Sequence, residues 1–156
     1  MIVRFDELET LRGRVAMVDG AFDPLHRGHI EYFRAAWEFA TRQQVDVFCN
    51  VASDRYVRSK HEPLLPDEER VAIVDAIRYI SYTHLNEHDT ETILRELRPK
   101  YYVKGNDWIG RLPQDQVRIC EEHRIEIVYL DTVLTSSTRI LEEFLDKSVK
   151  HERHGA

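Results

Sequence analysis

Five short apolar runs rich in β-branched or aromatic residues recur along this chain, each separated from the next by a stretch with helical spacing. The runs are RVAMV (14–18), VDVFCNV (45–51), SYTHL (81–85), KYYVK (100–104) and EIVYL (126–130). The first, second and fifth are close to continuously apolar, the pattern of parallel strands covered on both faces. Helical stripes fill the gaps over 29–42, 67–77, 90–97, 114–123 and 137–145. Strand–helix alternation of this kind specifies an α/β fold: a single doubly wound, mostly parallel five-stranded sheet flanked by helices. In such sheets ligands bind beyond the carboxyl ends of the strands.

Several helix ends are marked. Pro66 with Asp67, Glu68 and Glu69 sets a proline and acids in a first turn, which suits the helix dipole. Asp89 before Thr90 reads as an N-cap, and Pro99 closes the helix before it. Residues 1–13 are expected to form a lead-in helix, and 147–156 a polar, frayed tail, leaving 1–146 as the folded domain.

With 156 residues, the chain can bury roughly 68–70% of its unfolded surface around one core. No apolar run approaches the ~20 residues of a membrane helix, and the first residues lack the apolar core of a signal peptide. A cytoplasmic location is expected, and Cys49 and Cys120 read as buried free thiols. A net charge of −6 argues against a nucleic-acid coat but leaves room for a local basic cluster that binds a small anion.

Three segments fall at predicted strand ends. In GAFDPLHRGH (20–29), Gly20 frees the turn after the first strand, Pro24 fixes the bend, and Gly28 allows a ligand near the backbone. The following helix start points free N–H groups outward, a ready phosphate site. His26 and His29 are three residues apart and share one side of the first turn. As N–H donors they could stabilise charge growing on a phosphate; they could also be capping or core residues, or a metal pair with no third ligand evident nearby. In YYVKGNDW (101–108), Lys104 ends a strand, Gly105 permits a turn, and Asp107 and Trp108 follow. The lysine suits a phosphate and the aromatic a base, although a solvated lysine and a core tryptophan fit the same pattern. In LTSSTRI (134–140), Thr135, Ser136, Ser137 and Thr138 offer cap oxygens at another helix start. Arg139 in that first turn opposes the dipole unless it faces an anion; an ordinary cap with a solvent-facing arginine is the alternative.

Together these residues resemble the nucleotidyltransferase superfamily with the H-x-G-H signature, in its cytidylyltransferase-like branch. GAFDPLHRGH, VKGNDW, TSSTRI and the connecting segment PDEERVAIVDAIRYI follow the family order over roughly 14–145. The resemblance implies a Rossmann-like fold and an enzyme that transfers a nucleoside monophosphate from an NTP to a phosphorylated small molecule, releasing pyrophosphate. It implies that His26, His29 and Lys104 are catalytic. Gly20, Ala21, Phe22, Asp23, Gly28, Gly105, Asp107, Trp108, Thr135, Ser136, Ser137 and Thr138 would bind nucleotide. Lys60, with Arg58 and Arg55 as alternatives, would meet the acceptor phosphate. Mg²⁺ would bridge the phosphates largely through water, and a homodimer with a contact near Arg78 and Tyr79 is implied.

Two acceptor types compete within the family. One reaction adenylylates a heptose-type sugar phosphate; the other cytidylylates glycerol 3-phosphate. Cytidylyltransferases usually carry an arginine where this chain has Asp131, which favours the first. Two readings of other classes are a nucleotide-binding regulator without turnover and an RNA-linked role. Intact His26, Gly28 and His29 weigh against the former, and the acidic balance with no room for an anticodon-binding domain against the latter.

Overall fold

The computed structural model describes residues 1–132 and 137–154. A 3₁₀ helix over Phe5–Leu11 leads in. Strands β1 (Val15–Gly20), β2 (Asp46–Ala52), β3 (Tyr82–Asn86), β4 (Tyr101–Gly105) and β5 (Glu126–Leu130) alternate with helices α1 (Arg27–Arg42), α2 (Asp54–Arg58), α3 (Asp67–Asp75), α4 (Thr90–Leu97), α5 (Gln114–Glu122) and α6 (Ser137–His154). Every strand pair is parallel and the order across the sheet is β3-β2-β1-β4-β5. The expected "mostly parallel" sheet is therefore wholly parallel.

Alternation along the strands divides the core in two. Val15, Met17, Phe48 and Tyr102 point to the side covered by the lead-in helix, α4 and α5, where they meet Leu8, Leu94 and Ile119. Ala16, Val18, Cys49 and Val103 point to the other side and pack on Phe33 of α1 and Val74 of α3. Both cysteines are free and buried. Burial raises the pKa of each thiol, to about 11 for Cys120.

The ends of the elements follow local chemistry. Asp89 caps α4, accepting from the Thr92 N–H at 2.6 Å. That helix stops at Arg98 in the left-handed region (φ 42°), directly before Pro99. Helix α6 continues through His154, so the segment read as a polar tail extends that helix. The short α2 has no counterpart among the expected helices. Among the described residues no helix is long and apolar enough to cross a membrane.

The chain runs outward from β1 to β2 and β3 on one side of the sheet, then returns to place β4 on the other side of β1. The topological switch point thus lies between β1 and β4, the position where open parallel sheets bind ligands.

Candidate active site

At the switch point the backbone pairing gives out before the strands do. β1 pairs with β4 at Ala16↔Tyr101 and Met17↔Tyr102, whereas its pairing with β2 continues to Gly20↔Val51. Side chains take over beyond that point. The Tyr32 hydroxyl, on α1, donates to the Val103 carbonyl. Lys104 Nζ reaches across from β4 to Asp19 Oδ1 at 2.6 Å, and the Tyr102 hydroxyl donates to Asp19 Oδ2 at 2.9 Å. Burial, with the Asp19 charge behind it, pushes both tyrosines well above the usual phenol range, so they act as neutral donors.

The loop from Gly20 to His26 closes over the end of β1. Phe22 adopts φ 53° and its ring folds back onto Gly20, where an added Cβ would lie 2.9 Å from the ring. This close approach explains the glycine. The Asp23 carboxylate is buried and accepts from the Leu64 N–H at 2.8 Å and the Leu65 N–H at 2.9 Å. Asp23 therefore ties the loop after β1 to the segment that precedes α3.

His26 is the N-cap of α1, and the two histidines cap the helix reciprocally. His26 Nδ1 accepts from the Gly28 N–H at 3.0 Å, and His29 Nδ1 accepts from the His26 N–H at 3.3 Å. An acceptor Nδ1 in a neutral imidazole fixes the proton on Nε2, so each ring presents an Nε2–H donor. The rings stack with centroids 3.9 Å apart, and the edge of Phe22 supports His29. Burial lowers the pKa of His26; burial and the His26 charge lower that of His29 to about 3. Both are neutral at neutral pH. His26 Nε2 is buried and has no hydrogen-bond partner among the described residues. The capping role expected as an alternative is realised, and it leaves the opposite ring nitrogens for a ligand.

Lys104 is buried, with Nζ 4.2 Å from the centre of the half-exposed Trp108 ring. A Cβ on Gly105 would fall 2.6 Å from Oδ1 of the exposed Asp107 side chain, in the 3₁₀ turn Asn106–Trp108 that follows the strand. Asn106 Nδ2 donates to Asp131 Oδ1 at 2.7 Å, joining the loops after β4 and β5. The Ser137 hydroxyl donates to the Pro24 carbonyl at 2.9 Å, which brings the start of α6 against the histidine loop. Arg139 is ion-paired with Glu143. Thr135 and Ser136 lie outside the described residues; of Thr138 only its place in α6 is described.

The basic candidates lie at the end of β2. Arg55 and Arg58 are exposed on α2, Arg58 within 3.5 Å of Glu62, and Lys60 Nζ lies 4.8 Å from the centre of the Tyr56 ring. Arg70 of α3 organises this end and was missed as a site residue. Wholly buried, it donates to the carbonyls of Ala21 (2.8 Å), Ala52 (2.6 Å) and Leu65 (3.0 Å) and to Asp54 Oδ1 (2.7 Å). Sequence reasoning also missed Asp19. The available signal was an acid directly after an apolar strand run, where an aspartate that is buried needs a partner.

Among the described residues no group of three or more His, Cys, Asp or Glu side chains could hold a metal ion. The carboxylates of Asp19, on β1, and Asp23, in the loop after it, are occupied by Lys104 with Tyr102 and by two backbone N–H groups. These donors do not form a resident metal site.

The switch point of this wholly parallel sheet gathers a helix N-terminus, two neutral imidazoles and a buried lysine, donors suited to a phosphate ligand. The model of the cytidylyltransferase-like family matches residues 17–143, and the chain belongs to that family. It is 33% identical over 138 residues to the FAD synthase of Archaeoglobus fulgidus, covering 84% of this chain and 97% of that one. It is 32% identical over 141 residues to the bifunctional protein HldE of Geobacter sulfurreducens, covering 85% of this chain and only 27% of HldE. A lipopolysaccharide core biosynthesis protein from Thermoplasma volcanium shares the fold with a TM-score of 0.64 at 21% identity, over 78% of this chain and 98% of that one.

Proposed function

We propose that this protein is an adenylyltransferase that moves AMP from ATP to a phosphate monoester and releases pyrophosphate. One observation carries the reading: His26 and His29 spend Nδ1 on capping α1 and hold two neutral Nε2–H donors at the switch point. An oxygen of the acceptor phosphate attacks the α-phosphorus of ATP. The bond to the bridging oxygen of the β-phosphate breaks, and its electron pair leaves with pyrophosphate. No proton has to be removed from a phosphate dianion, so the protein's part is positioning and charge stabilisation. The imidazoles would donate to the triphosphate as negative charge builds, assisted by the positive end of the α1 dipole and by Lys104. Mg²⁺ enters as part of the Mg–ATP substrate, held by phosphate oxygens and water.

Adenylate is favoured over cytidylate on two grounds. The FAD synthase relative, matched over almost its full length, is named for a product containing adenylate. Asp131 stands where cytidylyltransferases carry arginine, and it is engaged by Asn106. For the acceptor, the sequence resemblance supports a heptose-type sugar phosphate. The same FAD synthase match favours a second reading, a phosphorylated flavin. Lys60, Arg58 and Arg55 at the end of β2 are the candidate acceptor contacts. A homodimer fits the exposed Trp37, whose ring lies 5.7 Å from that of Tyr79, next to Arg78.

The test is pyrophosphate release from ATP or CTP with heptose 1-phosphate, FMN or glycerol 3-phosphate. Release with ATP and one of the first two supports the proposal and selects the acceptor. Release with CTP and glycerol 3-phosphate overturns it. Tight ATP binding without release from any pair identifies a regulator instead.

A further inference from the structure

The Asp19–Lys104 pair joins the two central strands where their backbone pairing has ended. Asp19 is poorly suited to the middle of a parallel sheet, and a buried ion pair is weak evidence for stability, since a well-packed apolar pair does as well or better. Its geometry has a different consequence. An ammonium has three donors. One is fixed on Asp19 Oδ1 at 2.6 Å, while the ring of Trp108 lies 4.2 Å from Nζ on another side. Asp19 is itself held by the Tyr102 hydroxyl at 2.9 Å, so the anchor cannot swing with the lysine. The four-carbon stem of a lysine is otherwise free to choose among many rotamers.

We infer that Asp19 is a positioning residue for nucleotidyl transfer, acting only through Lys104: it restrains the ammonium from collapsing onto ground-state phosphates and holds it where transition-state charge develops. The inference rests on the adenylyl-transfer reading above. Removing the carboxylate charge then has opposite effects on binding and turnover. A released lysine grips the triphosphate more tightly but in the wrong place, and misplacement by about 1 Å costs on the order of 10²-fold in rate. A purely structural pair would instead lower stability and weaken ATP binding and turnover together.

Asp19→Asn keeps an oxygen facing the ammonium, and Lys104→Gln keeps a donor facing the carboxylate, so neither leaves a bare cavity. The full chain and the single and double variants are compared in pyrophosphate release and in equilibrium titration with ATP. Asp19→Asn is expected to lower kcat by roughly 10–100-fold while tightening ATP binding by roughly threefold. In the Lys104→Gln background the same change is expected to do neither, because a residue acting through another adds nothing once that partner is gone. Kcat near the wild-type value in Asp19→Asn, or losses that multiply in the double variant, overturns the inference. So does an equal change in ATP affinity with and without Lys104, a readout that needs no turnover. Failure of the wild-type chain to release pyrophosphate with any acceptor speaks against the proposed function alone, and the titration still decides the role of Asp19.

Discussion

His26 and His29 use the same ring atom, Nδ1, to close the N-terminus of α1, and so each offers Nε2–H on its other edge. Cap and donor are opposite edges of one neutral imidazole. The roles can be separated by substitution, because an asparagine Oδ1 can replace Nδ1 as the cap acceptor but nothing replaces Nε2–H. His26→Asn and His29→Asn are expected to keep the helix start and lower kcat by roughly 10²–10³, the cost of one oxyanion-type donor. The alanine variants should add about 1 kcal/mol of destabilisation from the lost cap. Steady-state kinetics beside thermal melting of the four variants checks both statements; full turnover in either asparagine variant removes the donor role.

The low pKa of His29 has a stability consequence with a definite sign. Its folded value of about 3 lies below the 6.5 of an unperturbed imidazole. Between those two values the unfolded chain binds a proton that the folded chain does not, so stability falls as the pH falls through this window. His29 alone should contribute a slope of up to about 1.4 kcal/mol per pH unit there, and nothing above the unfolded pKa. His26 and His84, also lowered by burial, act in the same direction. Urea unfolding between pH 4 and 7 should show the slope, and His29→Asn should flatten it. An unchanged slope in that variant would place the acid sensitivity elsewhere.

The sequence made the sheet readable because its strands are apolar runs, yet four of the five end one or two residues later than the runs suggest. The added residues include Asp19 and Gly20, Asn86 and Gly105, which pair in register although nothing in their polarity announces a strand. Helix α2 is five residues long, too short for a period to show. Motif residues were legible because they are close in sequence: the capping of α1 needs only the span from His26 to His29. Asp19 and Arg70 were not. Asp19 matters only because β4 lies beside β1, and Arg70 only because Ala21, Ala52 and Leu65 converge on it from the loop after β1, the end of β2 and the segment before α3.

Arg70 predicts a large stability effect away from the histidines. Replacing it by methionine leaves three carbonyls and the Asp54 carboxylate without their donor in a buried setting. Breaking such a network from one side costs about 3–5 kcal/mol, a large share of a small domain's stability. Arg70→Lys should recover part of this by keeping the charge but not the planar fork. Denaturant midpoints of the two variants measure the difference, and a methionine variant within 1 kcal/mol of wild type would show that the network contributes little.

Asp23 links the histidine loop to the segment carrying Lys60, and this separates its effects on the two substrates. Its two oxygens each take one backbone N–H, from Leu64 and Leu65. Asparagine can accept only on its oxygen and sets an NH₂ group against the other N–H, so Asp23→Asn should lose about 1–3 kcal/mol. The segment freed is the one before α3, not the helix start that would hold the triphosphate. The KM for the acceptor is therefore expected to rise roughly tenfold, as for a lost charge-assisted bond, while that for ATP changes little. Kinetics with each substrate varied in turn distinguishes the cases. An equal rise in both constants would mean that Asp23 serves the nucleotide through the loop after β1, and that the 59–65 segment is not where the acceptor phosphate is held.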